Sequence, residues 1–367
     1  MEPHQGRSPL REIDSSGRVT MRQVALAANV SVTTVSHVVN GTRIVADETR
    51  QRVQLAMKTL GYDRQPATGS PLTASGRTIG LAMTVANNPY WVDLIQGVEA
   101  EAARAGLNLV VVDTRDDARY EAAAVSNLVA HRIIEGLVIS PAAGWRSSTL
   151  PLVRRQRVPF VAVDRIDPTL HADQVGVENE SAAAAVVEHL MHHGHRRIGM
   201  LKGIPGLSTS VERLRGFELA HKRNRFPIDP QLIRVGNSST AGGRTATAEL
   251  LRLAHRPTAL FAANGAMTIG AMTTLQSAGL RVPEDVALVA FDDFPWADLF
   301  TPAPTTVAQP SAAIGARAVQ LLVRRMEDPD APPRMMRLPA EIMHRNSCGC
   351  ALEPARSAVR APARSPR

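Results

Sequence analysis

Cysteine is almost absent from this chain: of 367 residues, only Cys348 and Cys350 carry a thiol. A Cys-x-Cys pair with no His or further Cys beside it in sequence is a poor zinc site. The pair therefore reads as reduced surface thiols, and no metal or cofactor is assigned. Long apolar runs are missing as well, none approaching the ~20 residues of a membrane-spanning helix. The opening MEPHQGRSPLREIDSSGR has no apolar stretch of the signal-peptide kind, which gives the expectation of a cytoplasmic protein with no membrane partner. No Ser-His-Asp or paired-carboxylate spacing stands out, so an enzyme is not expected and no catalytic residue is assigned. His192, His193 and His195 fall at a predicted helix end, where imidazoles favour the negative end of the dipole, and are not read as ligands.

What the chain does have is 44 % hydrophobic residues, enough for two or three domains with real cores, and a net charge of +8. The most informative stretch is 19–62, VTMRQVALAANVSVTTVSHVVNGTRIVADETRQRVQLAMKTLGY. Thr20 and Gln23 have the spacing of a capping box. Val24, Ala27 and Ala28 then recur at helical spacing, and Asn29 suits the left-handed turn that ends the helix. Ser31 is a natural N-cap for a second helix at 32–39, with Val35, Val38 and Val39 inward and Thr33, Thr34, Ser36 and His37 outward. A third helix at about 47–60 buries Val53, Ala56, Met57 and Leu60 and stops at Gly61. Two short helices on a three-residue turn, braced by a third, predict a helix-turn-helix. Between Arg18 and Arg64 seven basic residues stand against three acidic ones, a net +4 and half of the chain's total. That is an electrostatic footprint suited to phosphates.

Beyond Thr78 short β-branched runs alternate with amphipathic helices. Strands are predicted at 79–84, 107–113, 136–140, 160–164, 174–177, 197–202, 259–263, 286–291 and 336–338. Helices are predicted at 90–105, 121–131, 182–193, 211–225, 242–253, 267–278 and 312–327. This alternation predicts an α/β core of doubly wound parallel sheets, with ligands at the carboxyl ends of the strands.

VSVTTVSHVVNGTRIVADETR closely resembles the DNA-binding segment of the lac/pur repressor (LacI/GalR) family, particularly its purine-repressor branch. The likeness continues in order through IGLAMTVANNPYWVDLIQGVEAEA, EGLVISPA, VPFVAVDR, HLMHHGHRRIGML, RLRGFELA, RPTALFAANGAMTIGAM, GLRVPEDVALVAFDD and PAPTTVAQP. It implies a core like a periplasmic sugar-binding protein, its two lobes crossed three times by the chain. Expected boundaries are a disordered extension at 1–17, the helix-turn-helix at 18–64, a hinge at 65–77, the effector and dimerisation core at 78–346 and a disordered basic tail at 347–367. One lobe takes about 78–177 and 308–337, the other about 178–307 and 338–346.

The resemblance also implies a function: a regulator, most naturally a repressor, that binds a palindromic operator in double-stranded DNA as a homodimer and answers to a small-molecule effector. Val32, Thr33 and His37 take the base-reading positions, His37 towards guanine and the methyls towards thymine. Thr20, Arg22, Ser31, Thr34, Ser36, Asn40 and Arg43 take the backbone positions, although the hydroxyls of Thr34 and Ser36 could equally bond back to their own helix. In the cleft the candidates are Tyr90, Trp91, Asp164, Arg213, Ser238 and Asn264. Lobe packing is the other reading of Tyr90 and Trp91, and a structural ion pair that of Arg213. A solute-binding protein of the same core is the alternative function, but it needs an export signal and no helix-turn-helix.

Three places depart from the family pattern. Asn264-Gly265 replaces the usual Asn-Asp form and removes a carboxylate, while Ser238 stands where many members place an aromatic. Together these predict that common aldohexoses bind poorly. In the hinge, Thr68-Gly69-Ser70-Pro71 replaces the usual Ala-Arg-Ser-Leu. Leu72 then serves as the minor-groove wedge only if the register shifts by one; otherwise 69–75 is a flexible linker.

Overall fold

The protein is represented by a computed structural model that describes residues 19–40, 45–60, 62, 77–84 and 90–350. Arg43 and the hinge positions Gly69, Pro71 and Leu72 lie outside the described residues. The chain forms two compact units, Met1–Ser75 and Gly76–Arg367.

The first unit holds three helices: α1 (Met21–Ala28), α2 (Val32–Asn40) and α3 (Asp47–Leu60). The capping box forms in full. The Thr20 N–H donates to Gln23 Oε1 at 2.7 Å, and the Gln23 N–H donates to Thr20 Oγ1 at 3.4 Å. Asn29 ends α1 in the left-handed region at φ 51°, a conformation Asn adopts more readily than other side-chain-bearing residues. Ser31 Oγ then accepts from the Thr34 N–H at 3.1 Å and caps α2. The core is Val24, Ala25, Ala28, Val35, Val39, Val53 and Ala56. One expected core residue is wrong: Ala27 is exposed and Ala25 takes its place. Small residues pattern weakly, so the apolar face of an alanine-rich helix is easily misplaced by one position.

The second unit alternates strand and helix. In chain order its strands are β1 (Thr78–Met83), β2 (Asn108–Asp113), β3 (Gly136–Ile139), β4 (Phe160–Val163), β5 (Asp173–Val177), β6 (Ile198–Lys202), β7 (Ile233–Val235), β8 (Ala259–Ala262), β9 (Ala287–Phe291), β10 (Thr305–Ala308), β11 (Met335–Leu338) and β12 (Glu341–Met343). Its helices are α4 (Tyr90–Arg104), α5 (Ala118–Ala130), α6 (Thr149–Arg155), α7 (Asn179–His192), α8 (Ser208–Asn224), α9 (Thr240–Leu251), α10 (Gly265–Ser277) and α11 (Ser311–Glu327). They build two six-stranded sheets, ordered β11-β5-β4-β3-β1-β2 and β12-β10-β9-β8-β6-β7. Every neighbouring pair is parallel except β10 with β12. The chain passes between the sheets after β5, after β10 and after β11.

Buried strands such as β1, β8 and β9 carry no exposed residue and read as nearly continuous apolar runs, whereas the equally buried β5 opens with Asp173 and Gln174. Helix pairs close on glycine. A Cβ on Gly97 of α4 would lie 2.1 Å from the Ala312 carbonyl oxygen, and one on Gly315 of α11 would lie 2.4 Å from that of Leu94. The two backbones therefore touch, and only glycine permits that approach. Sequence periodicity did not reveal α6, β7, β10 or β12, each of seven residues or fewer. Cys348 also departs from expectation, being fully buried rather than a surface thiol. The short turn Asn346–Cys348 tucks it under β9 and β10, where Thr305 Oγ1 lies 3.1 Å from its sulfur.

Candidate functional site

The helix-turn-helix unit presents α2 with no acidic residue in its first turn. Ser31, Val32 and Thr33 are exposed, and Thr34, Ser36 and His37 are half-buried. The Ser31 and Thr34 hydroxyls lie 2.8 Å apart at the helix start. One of their two hydrogens is thus spent between them, which leaves the other, with the first backbone N–H groups, for an anion. Arg22 is exposed on the second position of α1. The face combines hydroxyls, methyls, an imidazole and an Arg without a carboxylate, a set that suits a nucleic-acid groove.

In the second unit, six expected cleft residues line one cavity: Tyr90, Trp91, Asp164, Arg213, Ser238 and Asn264. It lies just past the carboxyl ends of β1, β4, β8 and β9, where doubly wound sheets hold ligands. The cavity of about 50 Å³ is polar and narrow.

Two buried aspartates anchor it, one from each sheet. Asp164 follows β4 with φ 65° and Asp292 follows β9 with φ 71°, both in the left-handed region. Tyr90 Oη donates to Asp164 Oδ1 at 3.2 Å, and its ring meets Trp91 edge-on at 4.8 Å. Burial pushes Asp164 up to about 6, although Arg165 and Arg213 pull the other way. Burial and the neighbouring Asp164 and Asp292 likewise hold the Tyr90 phenol well above its ordinary range. Arg213 donates through Nε to Asn179 Oδ1 at 2.9 Å and through Nη1 to the Ala263 carbonyl at 2.7 Å. Its Nη2 lies 3.6 Å from Asp292 Oδ1, and its guanidinium stacks 3.7 Å over the Phe291 ring. Arg213 is thus both a cleft residue and an ion-pair partner.

Ser238 and Asn264 line the wall with side chains already engaged. Ser238 Oγ accepts from the Ile204 N–H at 3.3 Å. Asn264 caps α10 by accepting from the Met267 N–H at 2.9 Å, and its Nδ2 donates to the Ser238 carbonyl at 3.2 Å. No side-chain carboxylate stands at Gly265, whose N–H donates to Asp292 Oδ2 at 3.3 Å. Sequence reasoning missed Asp292, Arg165, Asp116, Thr209, Ser210 and Gln309, all in the same wall. The signal for Asp292 was present, because VAFD repeats the strand-then-Asp form of VAVD. Gln309 donates through Nε2 to Asp292 Oδ1 at 2.6 Å, and its buried Oε1 has no partner. A second network crosses between the lobes. Arg337 of β11 grips Glu212 of α8 with two bonds, of 2.6 and 3.2 Å, and Glu212 accepts from Asn179 Nδ2 at 2.9 Å.

Comparison with known proteins agrees with both halves. Residues 20–65 match the model of bacterial regulatory proteins of the lacI family, and 187–348 match a periplasmic binding protein-like domain. The chain is 32 % identical over 330 residues to the HTH-type transcriptional repressor PurR of Aliivibrio fischeri (strain MJ11), covering 89 % of this chain and 98 % of that one. It is 30 % identical over 328 residues to the ribose operon repressor of Haemophilus influenzae, at the same two coverages. Among solved structures it is similar to the transcriptional regulator CelR in complex with cellobiose, at 29 % identity and TM-score 0.69 over 90 % of this chain and 100 % of that one. It is also similar to the lac repressor dimer bound to operator and an anti-inducer, at 28 % identity and TM-score 0.67 over 90 % and 99 %. A helix-turn-helix whose second helix has no acidic residue in its first turn, set ahead of a two-lobed core, together with relatives matched over nine-tenths of the chain, leads to one conclusion: this protein belongs to the lacI family of bacterial regulatory proteins and is a DNA-binding transcriptional regulator, not an enzyme.

Proposed function

We propose that the chain represses transcription in the cytoplasm, as a homodimer on a two-fold symmetric operator, and that a compact, donor-rich effector held between the lobes sets its DNA affinity. The observation that carries this reading is α2, whose outer face offers Val32, Thr33 and His37 and no carboxylate in its first turn. In the reading, those three choose bases. Thr20, Arg22, Ser31, Thr34, Ser36, Asn40 and Arg43 hold phosphates, and Leu72 enters the minor groove. Two-fold pairing of such a small reader matches the pseudo-palindromic half-sites that helix-turn-helix dimers use. The test is binding to a preferred site and to scrambled DNA at stated salt. His37→Ala should narrow the gap between the two sequences, while Arg22→Ala should weaken both alike. Equal losses on both sequences from both variants would refute the base-reading assignment.

The effector reading rests on the unpartnered Gln309 Oε1 and on the carboxylates Asp164 and Asp292 in one cavity. All are acceptors, and they call for hydroxyl or amino donors. Solved relatives hold cellobiose and ribose. Here the small cavity and its engaged Ser238 and Asn264 favour a more compact molecule than an aldohexose.

A further inference from the structure

The end of α7 and the last described residues bring together ligands that are more than 150 residues apart in sequence. His189 and His193 share one helix face at i, i+4 spacing, with ring centroids 4.7 Å apart. Across from them the turn Asn346–Cys348 ends at Gly349 with φ 85°. That left-handed glycine folds the chain back, so that the Cys348 and Cys350 sulfurs lie 2.9 Å apart. One donor atom each from His189, His193 and Cys350 falls within 4.8 Å of the others. His344 packs against His189 with ring centroids 4.7 Å apart.

One further observation points to a ligand: His189 Nε2 is buried and has no hydrogen-bond partner among the described residues. Unpaired buried polar atoms are costly, and a metal ion satisfies an imidazole nitrogen as a hydrogen bond would.

We propose that His189, His193, Cys348 and Cys350 form a tetrahedral site for a zinc-class divalent cation, which ties the C-terminal segment to the end of α7. Metal–sulfur bonds of about 2.3 Å and metal–nitrogen bonds of about 2.0–2.1 Å place ligand atoms roughly 3.3–3.8 Å apart. The histidine and Cys350 donors reach that spacing by closing by about 1 Å, and the two sulfurs by opening by a similar amount. Four protein ligands leave no open position, so the site is structural. The lobe cleft is not involved, because α7 carries Asn179 at its opposite end, roughly 20 Å away at 1.5 Å per residue.

The test uses the untagged full chain, reduced, stripped with chelator and titrated with Co²⁺. The site predicts one equivalent bound, with a thiolate-to-cobalt charge-transfer band and tetrahedral d–d bands that zinc abolishes. Zinc should protect both thiols from alkylation and raise the unfolding midpoint of the core. His193→Ala, at an exposed position, and Cys350→Ser should each weaken Co²⁺ binding at least tenfold with the far-ultraviolet spectrum unchanged. The proposal falls if the reduced chain shows no charge-transfer band, if His193→Ala binds as the parent does, or if a Cys348–Cys350 disulfide is the only chemistry found.

Discussion

Asp164 and Asp292 close equivalent strands of the two sheets, and each is held by arginine in a place where burial penalises its charge. For Asp164 that penalty is visible as a pKa raised to about 6. An acid whose folded pKa exceeds its unfolded one binds a proton on folding. Its contribution therefore favours the fold below about pH 4 and is lost as pH rises through 6. Two pKa units amount to about 3 kcal/mol as an upper bound. Asp164→Asn keeps an acceptor for Tyr90 and tolerates the positive φ. It should therefore stabilise the ligand-free core at pH 7, by on the order of 2–3 kcal/mol in urea unfolding, with the gain fading towards pH 4. A variant less stable than the parent at pH 7 would mean that the two arginines outweigh burial. The same substitution removes an effector acceptor, so the account has the site hold charge at the expense of stability.

At the scale of elements, each lobe is held by helix pairs that touch backbone to backbone, α4 with α11 in one and α7 with α8 in the other. Gly315→Ala forces α11 away from Leu94 of α4, and overpacking of this kind costs about 1–3 kcal/mol. Thermal unfolding of the core should move down accordingly, whereas Gly206→Ala, in a turn with open space around its Cα but positive φ, should cost less. The elements also show what was legible in the sequence. Strands buried on both faces, such as β1 and β9, announce themselves by apolar runs. Helix starts fall two or three residues before the expected ones in α5, α7, α8, α9 and α10, which begin at Ala118, Asn179, Ser208, Thr240 and Gly265. In α8 the reason is physical: its first turn carries Thr209 and Ser210, which line the cavity. Polar residues there erase the apolar periodicity that marks a helix. Short segments such as β7 and β12 hold too few residues to show any period. The His–Cys cluster was illegible for another reason, since its halves meet only through the fold.

At the scale of the whole molecule, the second unit is two lobes tied at their crossings. The tie is chemical as well as covalent: Arg337 of one lobe holds Glu212 of the other, and Glu212 shares Asn179 with the cleft residue Arg213. Glu212→Gln should lower core stability by about 1–3 kcal/mol, as expected for a hydrogen bond to a charged group. Combined with Arg337→Ala it should cost less than the two single variants added, because they share one interaction. Strict additivity in that cycle would mean that Arg337 and Glu212 do not stabilise one another.

The central claim is that α2 reads DNA sequence in two-fold symmetric pairs. Its most direct test is selection of bound DNA from a random pool by the full chain at a stated salt concentration. The account predicts an enriched inverted repeat, with half-sites one helical turn apart or a multiple of it, whose base preferences collapse in a Val32→Ala, Thr33→Ala, His37→Ala variant that still binds DNA. A pool that stays random, or a repeat recovered unchanged by that triple variant, would contradict it.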